Sequence, residues 1–374
     1  MIQEAAVNKY GVYDSQFELF KIIYDNKLGL AFEDLLLEPS MSDIESREII
    51  SLETKITPGR SLKIPLVASN MDTICESTMA IALNNLGATG VIHRYMSYEQ
   101  QISEIKNVAE NSSNTSIIAA AVGLKNGVLE HVKNLVNAGC NIIVVDVAHG
   151  HHKLVAEIVK AIKDLSLVSP SDNIPVEVIA GNVATPQGVT FLSNAGADCI
   201  RVGIGSGSIC STRVVTGHGI PLLTSLISCS IAAAPKGVTI MADGGIYNSG
   251  DAVKALAAGA NTLMSGSIFA GSNEVPTQAV LINDQLKYPY RGMASAEAQE
   301  GYYGNHIKAP EGVSTYVDPK GPVALVLEKY IYGIRSGLSY SGAKNINELR
   351  AKASWLRIST ASWGESLYVT HGEK

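Results

Sequence analysis

A glycine-rich segment at residues 203–213 (GIGSGSICSTR) carries the residue types that could attack a phosphorylated substrate. Its glycines let backbone amides approach a phosphate closely, and Ser208 adds a hydroxyl donor. Cys210 lies beside these amides and Arg213, in surroundings that favour the reactive thiolate form of a cysteine. The segment therefore predicts a phosphate site with Cys210 as the nucleophile. The alternative is a tight turn with a buried, inert thiol, the state expected for Cys75, Cys140, Cys199 and Cys229.

A second possible centre combines Asp146 with His149, His151 and His152. No further set of ligands with metal-binding spacing accompanies these residues, so a metal site is disfavoured. The sequence instead favours Asp146 as an acceptor of hydrogen bonds from a ribose or an amide.

The candidate site residues must be positioned by the elements around them. The sequence shows eight short apolar runs, each followed by a polar or glycine-rich turn and most then by a helix-like stretch. Such runs are typical of strands covered on both faces, and their alternation with helices predicts an α/β fold, a (β/α)8 TIM barrel. A doubly wound open sheet is the alternative. The runs are residues 65–69, 88–93, 117–122, 142–146, 176–180, 199–203, 238–242 and 262–265.

The active site of such a barrel lies where the strands end, and polar or glycine residues follow these runs. Asp243-Gly244-Gly245 and Ser265-Gly266-Ser267 follow the last two runs, the usual phosphate position in this fold. Helices are predicted at residues 124–138, 153–165, 251–258 and 323–334.

Two segments interrupt this rhythm. Residues 1–29 form an N-terminal arm, loose or docked on a partner, before a catalytic barrel at residues 30–374. Residues 269–321 form a long insertion after the eighth strand, rich in tyrosine, glycine, proline and charge, which predicts an active-site flap. Residues 355–374 are the C-terminal tail.

Composition excludes several classes of function. The 374 residues carry a net charge of −6 and show no basic stripe, so a nucleic acid polymer is not an expected partner. No apolar run is long enough to cross a membrane, and no apolar signal segment begins the chain. The chain has five cysteines, an odd number that cannot all form disulfide pairs. The sequence therefore predicts a reduced, cytoplasmic protein.

From about residue 30 to the C-terminus, the chain resembles the IMP dehydrogenase/GMP reductase family. The matching motifs, in chain order, are FEDLLLEP (32–39), SNMDT (69–73), GVIHR (90–94), VVDVAHGH (144–151), AGNVAT (180–185), GIGSGSICSTR (203–213), ADGGI (242–246), RGM (291–293) and SYSGAK (339–344). Ser206 stands where the family typically has proline.

The resemblance implies that the Cys210 thiolate adds to C2 of a purine nucleotide and that hydride passes between C2 and a nicotinamide. In the dehydrogenase, IMP and NAD give XMP after water attack. In the reductase, GMP loses ammonia and NADPH supplies the hydride that gives IMP. Thr212 would help to move protons, and Glu311 would hydrogen-bond the purine N1.

The resemblance also assigns the binding residues. The phosphate and ribose would contact Ser208, Asp243, Gly245, Gly266, Ser267 and Tyr290. Met71, Gly292 and Met293 would line the base, and Ser69 would also contact the substrate. The cofactor would face Asp146, Asn182 and Gly203.

The tail resembles the dehydrogenase branch. Residues 360–366 (TASWGES) look like the segment that shares a potassium ion with the cysteine loop of a neighbouring subunit, which would make Gly205, Gly207, Cys210, Glu365 and Ser366 the potassium ligands. The family also implies a homotetramer. The pair of cystathionine-β-synthase-type domains that most dehydrogenases carry is absent, since only residues 111–115 stand at that position.

The flap resembles neither branch closely. It lacks the arginine of the Arg-Tyr pair that activates water in the dehydrogenase. The reductase pairs a threonine with a glutamate, but Glu297 stands one position later than that glutamate, and Asn70 is also reductase-like. Glu297, Tyr303 or His306 could supply the base.

Three hypotheses follow: an IMP dehydrogenase using NAD and potassium, a GMP reductase using NADPH, and a nucleotide-binding barrel without turnover. The sequence holds no Rossmann fingerprint from which to choose between NAD and NADP.

Overall fold

The computed structural model describes residues 27–112, 116–303 and 309–366, together with Gln16, residues 19–21 and Ile23. Eight parallel strands close into a barrel in the order β10-β11-β4-β5-β6-β7-β8-β9, which confirms the predicted TIM barrel. The strands are β1 (Leu35–Leu37), β2 (Thr54–Thr57), β3 (Arg60–Leu62), β4 (Leu66–Ala68), β5 (Thr89–Ile92), β6 (Ala119–Val122), β7 (Ile142–Asp146), β8 (Glu177–Val183), β9 (Cys199–Val202), β10 (Thr239–Asp243), β11 (Thr262–Ser265), β12 (Val280–Ile282), β13 (Gln285–Arg291), β14 (Ser314–Val317) and β15 (Trp355–Arg357).

Most helices surround the barrel and pack apolar faces on the outward side of the strands, whereas Thr212–Thr216, Ala296–Tyr303 and Thr360–Trp363 belong to the cysteine loop, the flap and the tail. The helices are α1 (Ser77–Leu86), α2 (Tyr98–Asn111), α3 (Val128–Asn137), α4 (Lys153–Asp164), α5 (Pro186–Asn194), α6 (Thr212–Thr216), α7 (Leu222–Ala233), α8 (Ser249–Ala257), α9 (Ala296–Tyr303), α10 (Val323–Tyr340), α11 (Ile346–Lys352) and α12 (Thr360–Trp363). Within the described residues, no helix is both long and apolar enough to span a membrane.

Alternation along the strands decides which side chains face the barrel axis. In β7, Ile142 and Val144 join the interior cluster, whereas Ile143 and Val145 pack outward against the helices. Asp146 ends the strand on the inward-facing side. The same alternation places Arg201 above Cys199 in β9 and Asp243 above Met241 in β10. Three charged residues therefore converge at the carboxyl rim.

The amino end of the barrel is closed by the β2–β3 hairpin. Ile56 and Leu62 of this hairpin join the interior cluster, and the Thr239 hydroxyl donates to the Ile56 carbonyl at 2.7 Å. Arg60 is buried beneath the strands, where its guanidinium contacts Glu177 and Asp172, each at 2.8 Å. The hairpin therefore plugs this end of the barrel, and Arg60 attaches it through ion pairs with Asp172 and Glu177.

Element boundaries differ from the predictions where local caps decide them. The helix predicted at residues 124–138 begins at Val128, because Gly127 adopts a left-handed φ of 81° just before it. The helix predicted at residues 251–258 begins earlier, at Ser249, because the Asn248 side chain accepts from the Asp251 amide and caps it.

The structure describes parts of both irregular segments. Within the arm, Gln16 donates to the Ala257 carbonyl, and Leu19 and Ile23 are buried, so these residues lie on the chain's own barrel rather than loose. Within the flap, β12, β13 and β14 form an antiparallel sheet, and α9 follows β13. Flap residues 304–308 lie outside the described residues.

Candidate active site

A cavity of about 330 Å³ opens at the carboxyl rim of the barrel. It is lined by eighteen of the residues predicted for the site: Ser69, Met71, Asp146, Asn182, Gly203, Gly205, Gly207, Ser208, Cys210, Thr212, Asp243, Gly245, Gly266, Ser267, Tyr290, Gly292, Met293 and Glu311. Asn70, Arg94 and Arg201 also line it. The strand ends and the flap thus bring the cysteine loop, both glycine motifs and the acidic residues into one site.

Cys210 is the exposed cysteine of the chain, and the other four are buried. Burial raises the pKa of Cys140 and Cys199 to about 12, and it raises the pKa of Cys75 and Cys229 further. Those four thiols therefore stay protonated and inert. Cys210 is therefore the cysteine that solvent or a substrate in the cavity can reach.

The Cys210 thiol begins a chain of hydrogen bonds. Its Sγ donates to Thr212 Oγ1 at 3.1 Å, and the Thr212 hydroxyl donates to Glu311 Oε2 at 2.9 Å. The chain connects the sulfur to a carboxylate through one hydroxyl. Such an arrangement can carry a proton between the reacting centre and Glu311.

The returning strand of the flap places Glu311 there. The Ser211 amide donates to the Glu311 carbonyl at 3.0 Å, and the Val313 amide donates to the Ile209 carbonyl at 3.0 Å. Cys210 and Gly312 form an isolated antiparallel bridge. The cysteine loop and the flap therefore hold each other through backbone hydrogen bonds.

The predicted phosphate site lies in the same cavity as the thiol. Tyr290 is buried, and its hydroxyl lies 3.3 Å from Ser208 Oγ. Burial raises the pKa of Tyr290 to about 12, so the phenol keeps its proton and can donate to an anion. Position 266 has no room for a side chain, because a Cβ on Gly266 would lie 2.6 Å from the Met71 sulfur and 2.9 Å from the Tyr290 hydroxyl.

Arg201 is the functional residue that the sequence reasoning did not single out. Its guanidinium contacts Asp146 Oδ1 at 2.8 Å and Asp243 Oδ2 at 3.0 Å. Asn182 donates to the same Asp243 oxygen at 2.7 Å. An arginine inside an otherwise apolar barrel strand was the available signal, because a buried guanidinium requires acidic partners.

Asp146 sits between two cations. Burial by itself raises the pKa of this carboxyl, but the charges of Arg201 and Arg94 outweigh burial and hold the pKa below its usual range. Arg94 Nε donates to Asp146 Oδ2 at 3.0 Å. The carboxylate is therefore ionised near neutral pH, and it suits the hydroxyl groups of a ribose.

A second, wider cavity of about 810 Å³ lies beside the first, under α9. The Tyr302 ring stacks on Tyr95 at a centroid distance of 4.5 Å, and Lys125 Nζ lies 3.7 Å from the centre of the Tyr302 ring. Arg94, the partner of Asp146, lies 5.1 Å from the Tyr95 ring. Ring faces and cations therefore attach the flap helix to the rim next to Asp146.

Some predicted site residues lie elsewhere. Glu297 is exposed near the start of α9 and accepts from Ser314 at 2.6 Å, so it does not line the cavity. The Tyr303 side chain and His306 lie outside the described residues. Glu365 and Ser366 are exposed beyond α12, which packs beside residues 32–34 rather than at the cysteine loop of the same chain.

The histidines that follow β7 make ring contacts. His151 lies 4.9 Å from the Phe191 ring and 6.4 Å from His149. The described part of the chain holds no group of three or more histidine, cysteine or acidic side chains arranged for a metal ion.

Comparison with known proteins agrees with this geometry. The family model described as "IMP dehydrogenase / GMP reductase domain" matches residues 29–368. The inosine-5'-monophosphate dehydrogenase of Cryptosporidium parvum is 38% identical over 387 residues, covering 90% of this chain and 94% of that protein. The GMP reductase of Leishmania major is 30% identical over 478 residues, covering 90% and 96%.

A solved structure shares the fold closely. The GMP reductase of Trypanosoma brucei in complex with guanosine 5'-monophosphate matches with a TM-score of 0.84 at 28% identity, covering 93% of this chain and 98% of that one. Fold and sequence similarity agree. The chain belongs to the IMP dehydrogenase/GMP reductase family.

Proposed function

We propose that the protein is an IMP dehydrogenase-type enzyme that converts IMP to XMP with NAD. As a member of its family it is an NAD(P)-dependent purine nucleotide oxidoreductase. The observation that carries the proposal is the Cys210–Thr212–Glu311 chain, which lies in one cavity with the phosphate site and Asp146. It provides a nucleophile together with a proton acceptor.

The nucleotide would be held at both ends. Ser208, Gly245, Gly266, Ser267 and Tyr290 would bind the phosphate, because they combine neutral hydroxyl donors with close backbone approach. At the ribose, the Asp243 carboxylate would accept from hydroxyl groups. Ser69, Met71, Gly292 and Met293 would enclose the base beside Cys210. Glu311 would accept from the purine N1–H through the oxygen not bonded to Thr212.

The chemistry would proceed through the sulfur. Cys210 forms the S–C2 bond across the C2–N3 double bond, with its proton ending on N3. The nicotinamide dinucleotide, when bound, supplies the acceptor for hydride from C2. Water then attacks C2 as Thr212 takes one of its protons and passes the hydroxyl proton to Glu311. The S–C2 bond then breaks, the second water proton returns to the sulfur, and XMP is released.

Asp146, Asn182, Arg201 and Gly203 fit a dinucleotide, since an ionised carboxylate and buried donors face the cavity. Arg94 and Arg201 would keep Asp146 charged for the ribose hydroxyls. In this scheme Glu311 is the proton acceptor. It takes the role of base that the sequence offered to Glu297 and Tyr303 of the flap.

A second candidate is a GMP reductase that uses NADPH. Asn70 and the missing flap arginine favour it, as do the reductases among the relatives. The same thiol would add to C2 of GMP, and the Thr212–Glu311 pair would return a proton to the departing ammonia. Assays of IMP with NAD, and of GMP with NADPH, separate the two by the appearance or loss of reduced nicotinamide absorbance.

Replacing Cys210 tests the covalent step. Cys210→Ala should abolish turnover and the nucleotide adduct seen by mass spectrometry, while nucleotide binding persists. Cys140→Ala, a buried thiol outside the cavity, is the matched control and should keep turnover. Turnover that survives in Cys210→Ala contradicts the mechanism. A wild-type protein that binds nucleotide but turns over neither substrate supports a binding barrel without catalysis.

A homotetramer sharing potassium ions is also proposed. The tail lies beside residues 32–34 of its own barrel, so Glu365 and Ser366 would serve the loop of a neighbouring subunit, at the carbonyls of Gly205, Gly207 and Cys210. Exchange of potassium for sodium should lower turnover, and Glu365→Ala should remove that difference. Light scattering tests the tetramer. Five unpaired cysteines support a reducing, cytoplasmic location.

A further inference from the structure

Asn70 follows β4 at the rim of the barrel and is almost fully buried, with 2% of its surface exposed. Its Oδ1 accepts from Arg201 Nη1 at 2.8 Å. The neighbouring nitrogen of the same guanidinium, Nη2, contacts Asp146 Oδ1 at 2.8 Å. Asn70 and Asp146 therefore bind two different nitrogens of one planar group, and together they fix the orientation of that plane.

The charges around this guanidinium are already balanced. Arg94 and Arg201 face Asp146 and Asp243, so two cations meet two carboxylates in a buried site. A third carboxylate at position 70 would add an unpaired negative charge, and an apolar side chain would leave Arg201 Nη1 without its acceptor. A neutral amide satisfies the donor and keeps the balance.

We propose that Asn70 is a positioning residue that holds Asp146, through Arg201, in the orientation that binds the nicotinamide dinucleotide. This role rests on the proposed function, because it requires the dinucleotide to bind at Asp146. Asn70 lines the same cavity as Cys210, but its Oδ1 bonds to Arg201 rather than to the Cys210–Thr212–Glu311 chain, so its effect falls on the cofactor half of the site.

The test replaces Asn70 by leucine, which has a similar volume but cannot accept a hydrogen bond. With Cys210→Ala also introduced to prevent turnover, calorimetry on the IMP-loaded protein should show a dinucleotide Kd raised roughly 10- to 100-fold, the range expected for losing a buried hydrogen bond to a charged group. The Kd for IMP should not change. In steady state, the dinucleotide KM should rise more than kcat falls. Asn126→Leu, an exposed asparagine in the wider cavity, is the matched control.

A double-mutant cycle separates positioning from general structure. In an Asp146→Asn background, Asn70→Leu should have little further effect on dinucleotide binding, because both act through one group. Additive losses, or equal losses of IMP and dinucleotide affinity, overturn the proposal. Asn70→Ala repeats the test should the leucine variant unfold at a lower temperature.

The outcomes also distinguish this role from the proposed function. A wild-type protein that binds no dinucleotide overturns the proposed function, and the role of Asn70 falls with it. A wild-type protein that binds dinucleotide, with an Asn70→Leu variant that binds equally well, overturns the role of Asn70 alone.

Discussion

At the scale of single residues, Cys210 differs from the other thiols in where its proton can go. The buried thiols of Cys75 and Cys140 donate to backbone carbonyls, whereas Cys210 donates to Thr212, and Thr212 donates to a carboxylate. The sequence places Cys210 and Thr212 two positions apart, but Glu311 lies 99 residues after Thr212. Local spacing could therefore identify the nucleophile, whereas its proton acceptor became visible only in the fold.

Removing the carboxylate should slow the reaction without preventing binding. We expect Glu311→Gln to lower kcat roughly 10²- to 10⁴-fold, the usual contribution of a positioned acid or base, with Thr212→Val in the same range. The double variant should be no slower than the slower single variant, since both belong to one path. Glu297→Gln, on the exposed face of α9, is the control. Steady-state kinetics that show a larger loss for Glu297→Gln than for Glu311→Gln would assign the base to Glu297 instead.

The ionisation of Asp146 predicts how cofactor binding depends on pH. Arg201 and Arg94 outweigh burial and lower its pKa, and Asp243 is the other nearby carboxylate. The dinucleotide KM should therefore be constant around neutral pH and rise only as the pH falls through this lowered pKa. The contribution of Asp146 to folding stability is lost over the same acidic range.

Arg94→Met tests this assignment, because it removes one of the two cations. The pKa of Asp146 should rise, and the acidic increase in dinucleotide KM should move to higher pH. The profile of KM against pH is the measurement. An unchanged profile would mean that Asp146 does not control cofactor binding.

At the scale of elements, the barrel strands and the presence of a flap were predictable, whereas the strands and helix within the flap were not. The barrel strands are almost continuous apolar runs, and each predicted run overlaps an observed strand. Two of the flap strands, β12 and β14, are short and largely exposed, so their pattern carries little information about burial. The β2–β3 hairpin also escaped prediction. Its strands contain only seven residues, and their burial depends on the bottom of the barrel that they cover.

Gly312 packs closely against another segment of the flap, residues 292–295. A Cβ there would lie 3.1 Å from the Ser295 nitrogen, so Gly312→Ala should push the two backbone segments apart and displace Glu311. We expect a lower kcat with nearly unchanged stability. Gly301→Ala, whose Cβ would meet no atom within 4 Å, is the matched control and should keep full turnover. Equal kinetics for the two variants would show that this contact does not position Glu311.

At the scale of the whole molecule, the two ends of the barrel have different tasks. The carboxyl rim holds the thiol, the acidic residues and the flap, whereas the amino end holds the hairpin plug with Arg60 and Glu177. Glu177 also accepts from the Thr57 hydroxyl and the Gly59 amide, so a single carboxylate fastens the hairpin to β8.

Removing that carboxylate should reduce stability and spare catalysis. Glu177→Ala leaves the buried Arg60 with one acidic partner fewer, and such losses typically cost about 3–5 kcal/mol of the free energy of unfolding. Chemical denaturation measures the loss, and kcat of the folded protein should not change. Glu130→Ala breaks an exposed pair with Lys133 and should cost no more than about 1 kcal/mol. A fall in kcat for folded Glu177→Ala would show that the two ends are coupled.

The hairpin plug has an evolutionary consequence. Buried charges at the rim cost free energy on folding, and a substitution of a rim residue can lower the stability of the whole domain. Because the plug secures the far end of the barrel through contacts that no rim loop shares, rim residues can be exchanged with less danger of losing the fold. The scaffold thereby tolerates mutational drift of the flap, and one lineage can hold enzymes that oxidise a purine nucleotide and enzymes that reduce one.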